Sequence, residues 1–196
     1  MIQDPIQRFS LWFRAAVDRS PGPWFEPSAM TLATSGRSGD VSARIVLLKR
    51  FGPDGFVFYT NYASRKGMQL SENPQAALVF HWPHLHRQVR IEGNVKIITR
   101  EESEAYFHSR PRLSQLAAAT SRQSEVIPSR QYLMKEFRRL EELMADQTVP
   151  LPESWGGYRL TPVLFEFWRH RDNRLHDRLR YRKPDDAGWV SEYLAP

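Results

Sequence analysis

A short basic run carries side chains that suit a phosphate group. Ser64-Arg65-Lys66-Gly67 follows a strand-like run and opens a predicted short helix over residues 66–71. A capping hydroxyl, two cations and the free amide groups of a helix N-terminus together favour phosphate binding. Because capped helix starts are common, a solvated helix end without a ligand is the alternative interpretation.

A second group of residues is spaced by four. Tyr106, Arg110 and Ser114 share one face if a helix continues through Pro111, although proline favours a bend at that point. A guanidinium offers forked donors and hydroxyls add hydrogen bonds, so the set suits a phosphate monoester. An exposed helix corner is the alternative interpretation.

A third group fills five consecutive positions, Arg174-Leu175-His176-Asp177-Arg178. In an extended backbone Arg174, His176 and Arg178 lie on the same side. That face would hold an anionic or electron-rich ring and position a proton. A solvated, charged edge strand is the alternative.

The histidines of the run His81-Trp82-Pro83-His84-Leu85-His86 do not predict a metal site. The chain has no cysteine, Pro83 interrupts the run and carboxylates are sparse nearby. We therefore expect no bound metal. The lack of cysteine also excludes disulfides and a cysteine nucleophile, and no glycine-rich dinucleotide motif or P-loop is present.

Composition predicts one soluble domain over residues 1–196, since 41% hydrophobic residues in a chain of 196 suffice for one core. Lys and Arg outnumber Asp and Glu by 28 to 22, which favours anionic partners. A nucleic-acid-binding module is one such alternative, but no basic run or recognised motif supports it. The N-terminus lacks a signal-peptide core, and no apolar run approaches the ~18 residues of a membrane span. We therefore expect a cytoplasmic protein without membrane or nucleic-acid partners.

Hydrophobic periodicity predicts an antiparallel sheet preceded by a helix. Asp4 and Pro5 favour a helix start. Strand-like runs separated by turn signals lie at 30–34, 44–48, 56–60, 76–80 and 88–97. In the last run apolar and polar residues alternate, which predicts one dry face and one polar face able to line a cleft. The dry face comprises Val89, Ile91, Val95 and Ile97.

Helices are predicted after this sheet. Thr99 and Glu102 form a capping box for a helix that runs to about residue 109, and Pro111 suits the start of the next helix. A longer amphipathic helix is predicted over 130–146. A loop rich in Pro and Gly follows over 149–157, and strand-like composition returns at 164–168, 179–182 and 189–194.

Several ordered motifs along the chain resemble one known family. They include Arg44-Ile45-Val46-Leu47-Leu48-Lys49, Phe58-Tyr59-Thr60-Asn61, Ser64-Arg65-Lys66, Arg87-Gln88-Val89, Tyr106-Phe107-His108-Ser109-Arg110-Pro111-Arg112, Arg122-Gln123-Ser124, Trp155-Gly156-Gly157, Phe167-Trp168 and Arg174-Leu175-His176-Asp177-Arg178. From about Asp4 to Pro196 the chain resembles the pyridoxamine 5'-phosphate oxidase family.

The resemblance implies a mainly β fold with peripheral helices, an antiparallel Greek-key split β-barrel that works as a homodimer with FMN between its subunits. Residues matching the family's FMN contacts are Arg44, Ile45, Val46, Leu47, Leu48, Lys49, Tyr59, Thr60, Arg65, Lys66, Gln88, Gln123, Ser124, Trp168 and Arg178. Residues matching its substrate contacts are Lys49, Tyr106, Arg110 and Ser114 at the phosphate, and Arg174, Leu175 and His176 at the ring.

The resemblance also implies an activity, the oxidation of pyridoxamine or pyridoxine 5'-phosphate by dioxygen to pyridoxal 5'-phosphate and hydrogen peroxide. The amine substrate also releases ammonia. Arg174 and His176 are the expected catalytic residues. Family members often carry a longer N-terminal arm that folds over the substrate, and this chain starts too late to include it.

The sequence leaves two alternative functions open. One is a related split-barrel flavin oxidase that acts on another aromatic ring, as in phenazine biosynthesis. The other is a non-catalytic carrier of flavin or pyridoxal phosphate. The four residues matched to the substrate phosphate favour the vitamin B6 substrate over the phenazine type.

Overall fold

The fold, seen in a computed structural model that describes residues 2–184 and 188–196, is an antiparallel sheet with helices around it. The strands are β1 (Ala29–Ser35), β2 (Val41–Leu47), β3 (Arg50–Gly52), β4 (Gly55–Asn61), β5 (Gln75–Trp82), β6 (Arg87–Ile97), β7 (Trp155–Arg169), β8 (Asp177–Arg182) and β9 (Val190–Tyr193). The helices are α1 (Pro5–Asp18), α2 (Arg65–Glu72), α3 (Arg100–Ser109), α4 (Arg112–Thr120) and α5 (Arg130–Leu143), with a 3-10 turn at Pro83–Leu85. No helix in these two ranges is long and apolar enough to cross a membrane.

Strand β7 is the branch point of the sheet. The strands follow the order β2-β1-β5-β6-β7-β4-β3, and β8 with β9 also joins at β7. One edge of β7 pairs with β6. The other edge pairs first with β4, over residues 155–160, and then with β8, over residues 164–169. This fork divides the sheet into two walls, and the predicted antiparallel split barrel is confirmed.

The main core lies between α1 and the sheet. Asp4 caps α1 by accepting a hydrogen bond from the Ile6 amide at 2.8 Å, as predicted. Phe9 is fully buried, with its ring centroid 4.9 Å from that of Phe56 and 5.0 Å from that of Phe80 in edge-on packing. Helices α3, α4 and α5 cover a second, smaller cluster that includes Phe107, Leu116 and Trp155.

Most predicted elements are confirmed, and the differences have local causes. The predicted loop over 149–157 is wrong in its last three residues, which begin β7. The two glycines there serve close packing, since a Cβ on Gly156 would lie 2.0 Å from the Tyr62 hydroxyl oxygen. Ile97 is 60% exposed instead of lying on the dry face, because β6 ends there and the next residue, Ile98, enters the core. Helix α5 ends at Leu143, three residues before the predicted end at 146.

Gly67 lets α2 pack against the backbone of the preceding turn. A Cβ at this position would lie 2.0 Å from the Tyr62 carbonyl oxygen. Gly67→Ala is therefore expected to lower the free energy of unfolding by about 2 kcal/mol, the usual scale of overpacking. Urea denaturation measures the change. The matched control is Gly52→Ala, whose Cβ would meet nothing within 4 Å, and equal losses in the two variants would contradict the prediction.

Candidate functional site

A cavity of about 690 Å³ lies between the sheet and helices α2, α3 and α4. This volume is in the range of small-molecule sites. The residues around it combine cations, hydroxyls and aromatic rings. They include Arg44, Ile45, Val46, Leu47, Lys49, Tyr59, Thr60, Lys66, Tyr106, Arg110, Ser114, Gln123 and Trp155.

Lys66 forms the buried, cationic end of the cavity. Its Nζ donates hydrogen bonds to Gln123 Oε1 at 2.7 Å, Ser64 Oγ at 3.1 Å and Thr60 Oγ1 at 3.2 Å. All three acceptors are neutral. Burial, followed by the positive charge of Arg44, lowers the pKa of Lys66 to about 8. A buried cation with neutral partners is suited to receive an anion.

Arg44 adds a second cation beside Lys66. Its guanidinium donates to Leu32 O at 3.2 Å, to Thr34 Oγ1 at 2.6 Å and to Ser42 Oγ. Burial and the nearby charge of Arg65 lower the pKa of Arg44. Arg44 thus repels both Arg65 and Lys66, and a bound anion would relieve that repulsion.

The loop after α4 closes this end of the cavity. Ser124 has a left-handed backbone with φ of 77°, and its Oγ accepts a hydrogen bond from the Arg65 amide at 3.3 Å. Its neighbour Gln123 accepts from both Lys66 and Thr60. These hydrogen bonds connect the motif Ser64-Arg65-Lys66 to the motif Arg122-Gln123-Ser124, which lies about sixty residues later in the chain.

A second part of the cavity wall is aromatic and carries Arg110. Tyr59 stacks on Tyr106 with ring centroids 3.9 Å apart, and on Trp155 at 5.4 Å. The Arg110 guanidinium lies 4.8 Å from the Trp155 ring centroid. Its Nη1 is buried and has no hydrogen-bond partner among residues 2–184 and 188–196. Since buried donors are normally paired, this atom indicates a place for a ligand acceptor.

Pro111 bends the path between α3 and α4. The first helix ends at Ser109 and the second begins at Arg112, so Tyr106, Arg110 and Ser114 do not share one continuous helical face. The bend nevertheless brings all three to the same cavity.

A second pocket, of about 310 Å³, lies on the sheet where β6, β7 and β8 run side by side. It is lined by Gln88, Arg90, Glu166, Trp168, His176, Arg178 and Pro196. His176 Nδ1 accepts a hydrogen bond from the Arg171 amide at 3.1 Å, which assigns the ring proton of the neutral imidazole to Nε2. The His176 ring lies 4.8 Å from that of Trp168. No group of three or more His, Asp or Glu in the described ranges could hold a metal ion.

Comparison with known proteins decides the family. Residues 24–144 match the family described as pyridoxamine 5'-phosphate oxidase, and residues 155–196 match a pyridoxine 5'-phosphate oxidase C-terminal dimerisation region. The chain belongs to the pyridoxamine 5'-phosphate oxidase family. A pyridoxine/pyridoxamine 5'-phosphate oxidase of Rhodopirellula baltica is 52% identical, covering 98% of this chain and 87% of that protein. The pyridoxine-5'-phosphate oxidase of Bos taurus is 50% identical, covering 98% and 78%.

Solved structures agree with the pyridoxamine 5'-phosphate oxidase fold. PhzG from Burkholderia lata, in complex with tetrahydrophenazine-1-carboxylic acid, superposes with a TM-score of 0.92 at 30% identity, over 100% of this chain and 94% of that one. An FMN-binding protein from Nostoc punctiforme that is related to pyridoxamine 5'-phosphate oxidase superposes with a TM-score of 0.76 over 97% and 96%. At 16% identity the second likeness shows the fold alone.

Most residues matched to the pyridoxamine 5'-phosphate oxidase site fall into two groups. Lys49, Arg110 and the matched residues of β2, β4, α2, α3, α4 and the loop after α4 gather at the 690 Å³ cavity or its rim, whereas Gln88, Trp168, His176 and Arg178 line the second pocket. Leu48 belongs to neither lining, since its side chain is 5% exposed in the core. Within one chain the two groups therefore form separate surfaces.

The prediction of an extended backbone over residues 174–178 is wrong for residues 174–176. Arg174 has a left-handed φ of 61° and its amide donates to Arg171 O at 3.1 Å, so it lies in a turn. Asn173 Oδ1 stabilises that turn by accepting from the Leu175 amide at 3.0 Å. Strand β8 begins only at Asp177. Arg174 and Leu175 are consequently exposed and absent from the residues lining the second pocket.

Sequence reasoning assigned no role to Glu166 or Trp155. Glu166 is a single acid in the apolar run Leu164-Phe165-Glu166-Phe167-Trp168. An acid at such a position is the sequence feature that could have indicated a buried, functional carboxylate. Trp155 stood in a family motif, but its place beside Arg110 depends on the packing of β7 under α3.

Proposed function

We propose that this protein is an FMN-dependent oxidase that converts pyridoxamine or pyridoxine 5'-phosphate, with dioxygen, to pyridoxal 5'-phosphate and hydrogen peroxide. The amine substrate also yields ammonia. The observation that carries the proposal is one cavity lined by two cationic groups with different partners, Lys66 beside Thr60 and Gln123 and Arg110 beside Trp155, which suits two phosphorylated ligands. The relatives that are about 50% identical over nearly the whole chain support the same substrate class.

The FMN phosphate fits the Lys66 end. Lys66 and Arg44 supply desolvated cations whose own partners are neutral or backbone groups, and Arg65 adds charge at the rim. Thr60, Gln123 and Ser124 would complete the hydrogen bonding, while residues 45–47 and Tyr59 lie along the cavity for the ring system. Bound FMN would accept a hydride equivalent from the substrate and pass electrons to dioxygen.

The substrate phosphate fits the part of the cavity around Arg110. Arg110 presents its unpartnered Nη1, and Lys49, Tyr106 and Ser114 add a cation and two hydroxyls around the same space. The aromatic stack of Tyr59, Tyr106 and Trp155 forms one wall of this site.

Arg174 and His176 are the proposed catalytic residues at the substrate ring. Because Nδ1 accepts a hydrogen bond from the Arg171 amide, His176 holds its proton at Nε2. From Nε2 it donates a hydrogen bond to an oxygen substituent on the substrate's pyridine ring. Arg174 projects from an exposed turn beside it and would place a cation over the electron-rich ring. Together they orient the carbon to be oxidised and hold a proton near it.

A homodimer is part of the proposal because the two groups of site residues are apart in one chain. The match of residues 155–196 to a dimerisation region supports it. So does an apolar row on β2, where Val41, Ile45 and Leu47 are 73%, 63% and 36% exposed and the last two line the cavity. In the dimer the second pocket of one protomer completes the cavity of its partner. Each chain is one domain over residues 1–196 and works in the cytoplasm.

An aerobic assay of FMN-reconstituted protein with pyridoxamine 5'-phosphate tests the proposal. Aldehyde and hydrogen peroxide are expected in equal amounts, and Arg174→Ala is expected to lose most of both. A yellow, FMN-bound protein that forms neither product would reject the oxidase function on this substrate and favour a carrier.

A second candidate function is oxidation of another aromatic ring, which the likeness to PhzG favours. The substrate phosphate separates the two candidates. If the proposed function holds, pyridoxamine without its phosphate is a far poorer substrate than the phosphorylated compound. Equal rates would favour the second candidate.

FMN affinity is expected to fall as the pH rises above about 8. Burial lowers the pKa of Lys66 to about 8 in the free protein, so it loses its proton above that pH, whereas phosphate binding needs the charged form. Raising the pH from 7 to 9 should weaken FMN binding about tenfold, by proton linkage. Fluorescence titration measures this. Lys66→Arg should remove the dependence, and an unchanged slope in that variant would contradict the assignment.

A further inference from the structure

Glu166 is a buried carboxylate for which neither the sequence nor the family resemblance supplied a role. It lies in the second half of β7 between Phe165 and Phe167, whose side chains enter the core. Because side chains alternate along a strand, Glu166 and Trp168 share the opposite face, at the second pocket. Glu166 is only 5% exposed there.

Both oxygens of Glu166 are engaged by arginines from the neighbouring strands. Oε1 accepts from Arg178 Nε on β8, and Oε2 accepts from Arg90 Nη2 on β6, each at 2.8 Å. Arg178 also donates from Nη1 to Ala195 O at 2.8 Å. With Nε and Nη1 thus held by the protein, the guanidinium plane is fixed, and Nη2, which has no hydrogen-bond partner among residues 2–184 and 188–196, is free to donate to a ligand.

Stability does not account well for this arrangement. The free-energy cost of desolvating a carboxylate and two arginines is roughly offset by their electrostatic attraction. Apolar residues of similar size in the same place often give a protein equal stability. What an apolar residue cannot do is hold two guanidinium groups in set orientations. The contacts of Glu166 are therefore better explained by the positions of the arginines it holds.

We infer that Glu166 is a positioning residue that orients Arg178 toward the flavin. The inference rests on the proposed function, since it takes FMN as the ligand of Arg178. Glu166 acts through Arg178 and does not itself touch the reacting atoms.

The test is a double-variant cycle on FMN affinity, measured by fluorescence titration of the FMN-free protein. Glu166→Gln is expected to weaken binding about tenfold, because it keeps the size of the side chain but loses the charge that holds Arg178. Arg178→Gln should weaken binding at least as much. The double variant should bind as Arg178→Gln does, because Glu166 has no path to FMN once Arg178 is gone.

The visible circular dichroism of bound flavin is the second readout, and Glu166→Gln and Arg178→Gln should change it in the same way. Glu92→Gln is the matched control, since Glu92 also pairs with Arg90, at 3.3 Å, but is far more exposed; it should bind FMN as the wild type does. Thermal unfolding of the FMN-free variants shows whether each is folded.

Additive losses in the double variant, or wild-type affinity and dichroism in Glu166→Gln, would overturn the inference while leaving the oxidase function in place. A wild-type protein that does not bind FMN would overturn both together.

Discussion

Replacing Lys66 with Met is expected to weaken FMN binding by about two to three orders of magnitude, because it removes charge-assisted hydrogen bonds to the phosphate from a desolvated position. The same change should not destabilise the FMN-free protein. The folded state lowers the pKa of Lys66 from 10.5 to about 8, so at pH 7 the buried charge costs on the order of 3 kcal/mol. Met avoids this cost, while Thr60 and Gln123 keep their mutual hydrogen bond at 3.0 Å.

Two measurements separate this result from misfolding. FMN titration should show the loss, while urea denaturation of the FMN-free variant should give an unfolding free energy equal to or above that of the wild type. Lys96→Met is the control, because Lys96 is exposed on β6 outside the cavity. If Lys66→Met binds FMN within about threefold of the wild type, Lys66 is not a phosphate ligand.

Arg110→Ala is expected to raise the KM for pyridoxamine 5'-phosphate by about 100-fold or more, with FMN affinity unchanged. The physical reason is the loss of a forked, partly desolvated donor whose Nη1 has no other partner among the described residues. Arg110→Lys should recover only part of the loss, since an ammonium keeps the charge without the fork. Steady-state kinetics at saturating FMN measure both effects.

The unphosphorylated amine provides the control for Arg110. On pyridoxamine the wild type and Arg110→Ala should turn over at similar rates, because there is no phosphate to lose. Arg14→Ala, a change at an exposed arginine on α1, should leave both substrates unaffected. An Arg110→Ala variant that loses activity equally on both substrates would contradict a role in phosphate binding.

The sequence predicted the individual helices and strands better than it predicted how they pack together. The caps at Asp4, Ser64 and Thr99 act within one helical turn, so local chemistry was enough to place α1, α2 and α3. The spacing of Tyr106, Arg110 and Ser114 pointed to a shared site even though Pro111 breaks the helix on which that reasoning relied.

Other features depend on contacts between distant parts of the chain. The low pKa of Lys66 arises from burial under a loop about sixty residues away, which no local pattern encodes. The role of Glu166 needs the register of β6, β7 and β8, because only that register places Arg90 and Arg178 on either side of it. The turn at Arg174, in contrast, has a local cause. The Asx turn of Asn173 prevents the extended backbone that the alternating residues of 174–178 predicted.

The fork at β7 has a genetic consequence. Trp155 at its first residue borders the cavity and Trp168 near its end borders the second pocket, so roughly 40 Å of strand separates them. If each site takes its two parts from different protomers, Lys66→Met and His176→Ala fall into different complementation groups. A mixed dimer of these two chains carries both lesions in one site and neither in the other, so co-expression should give more activity than either variant has alone.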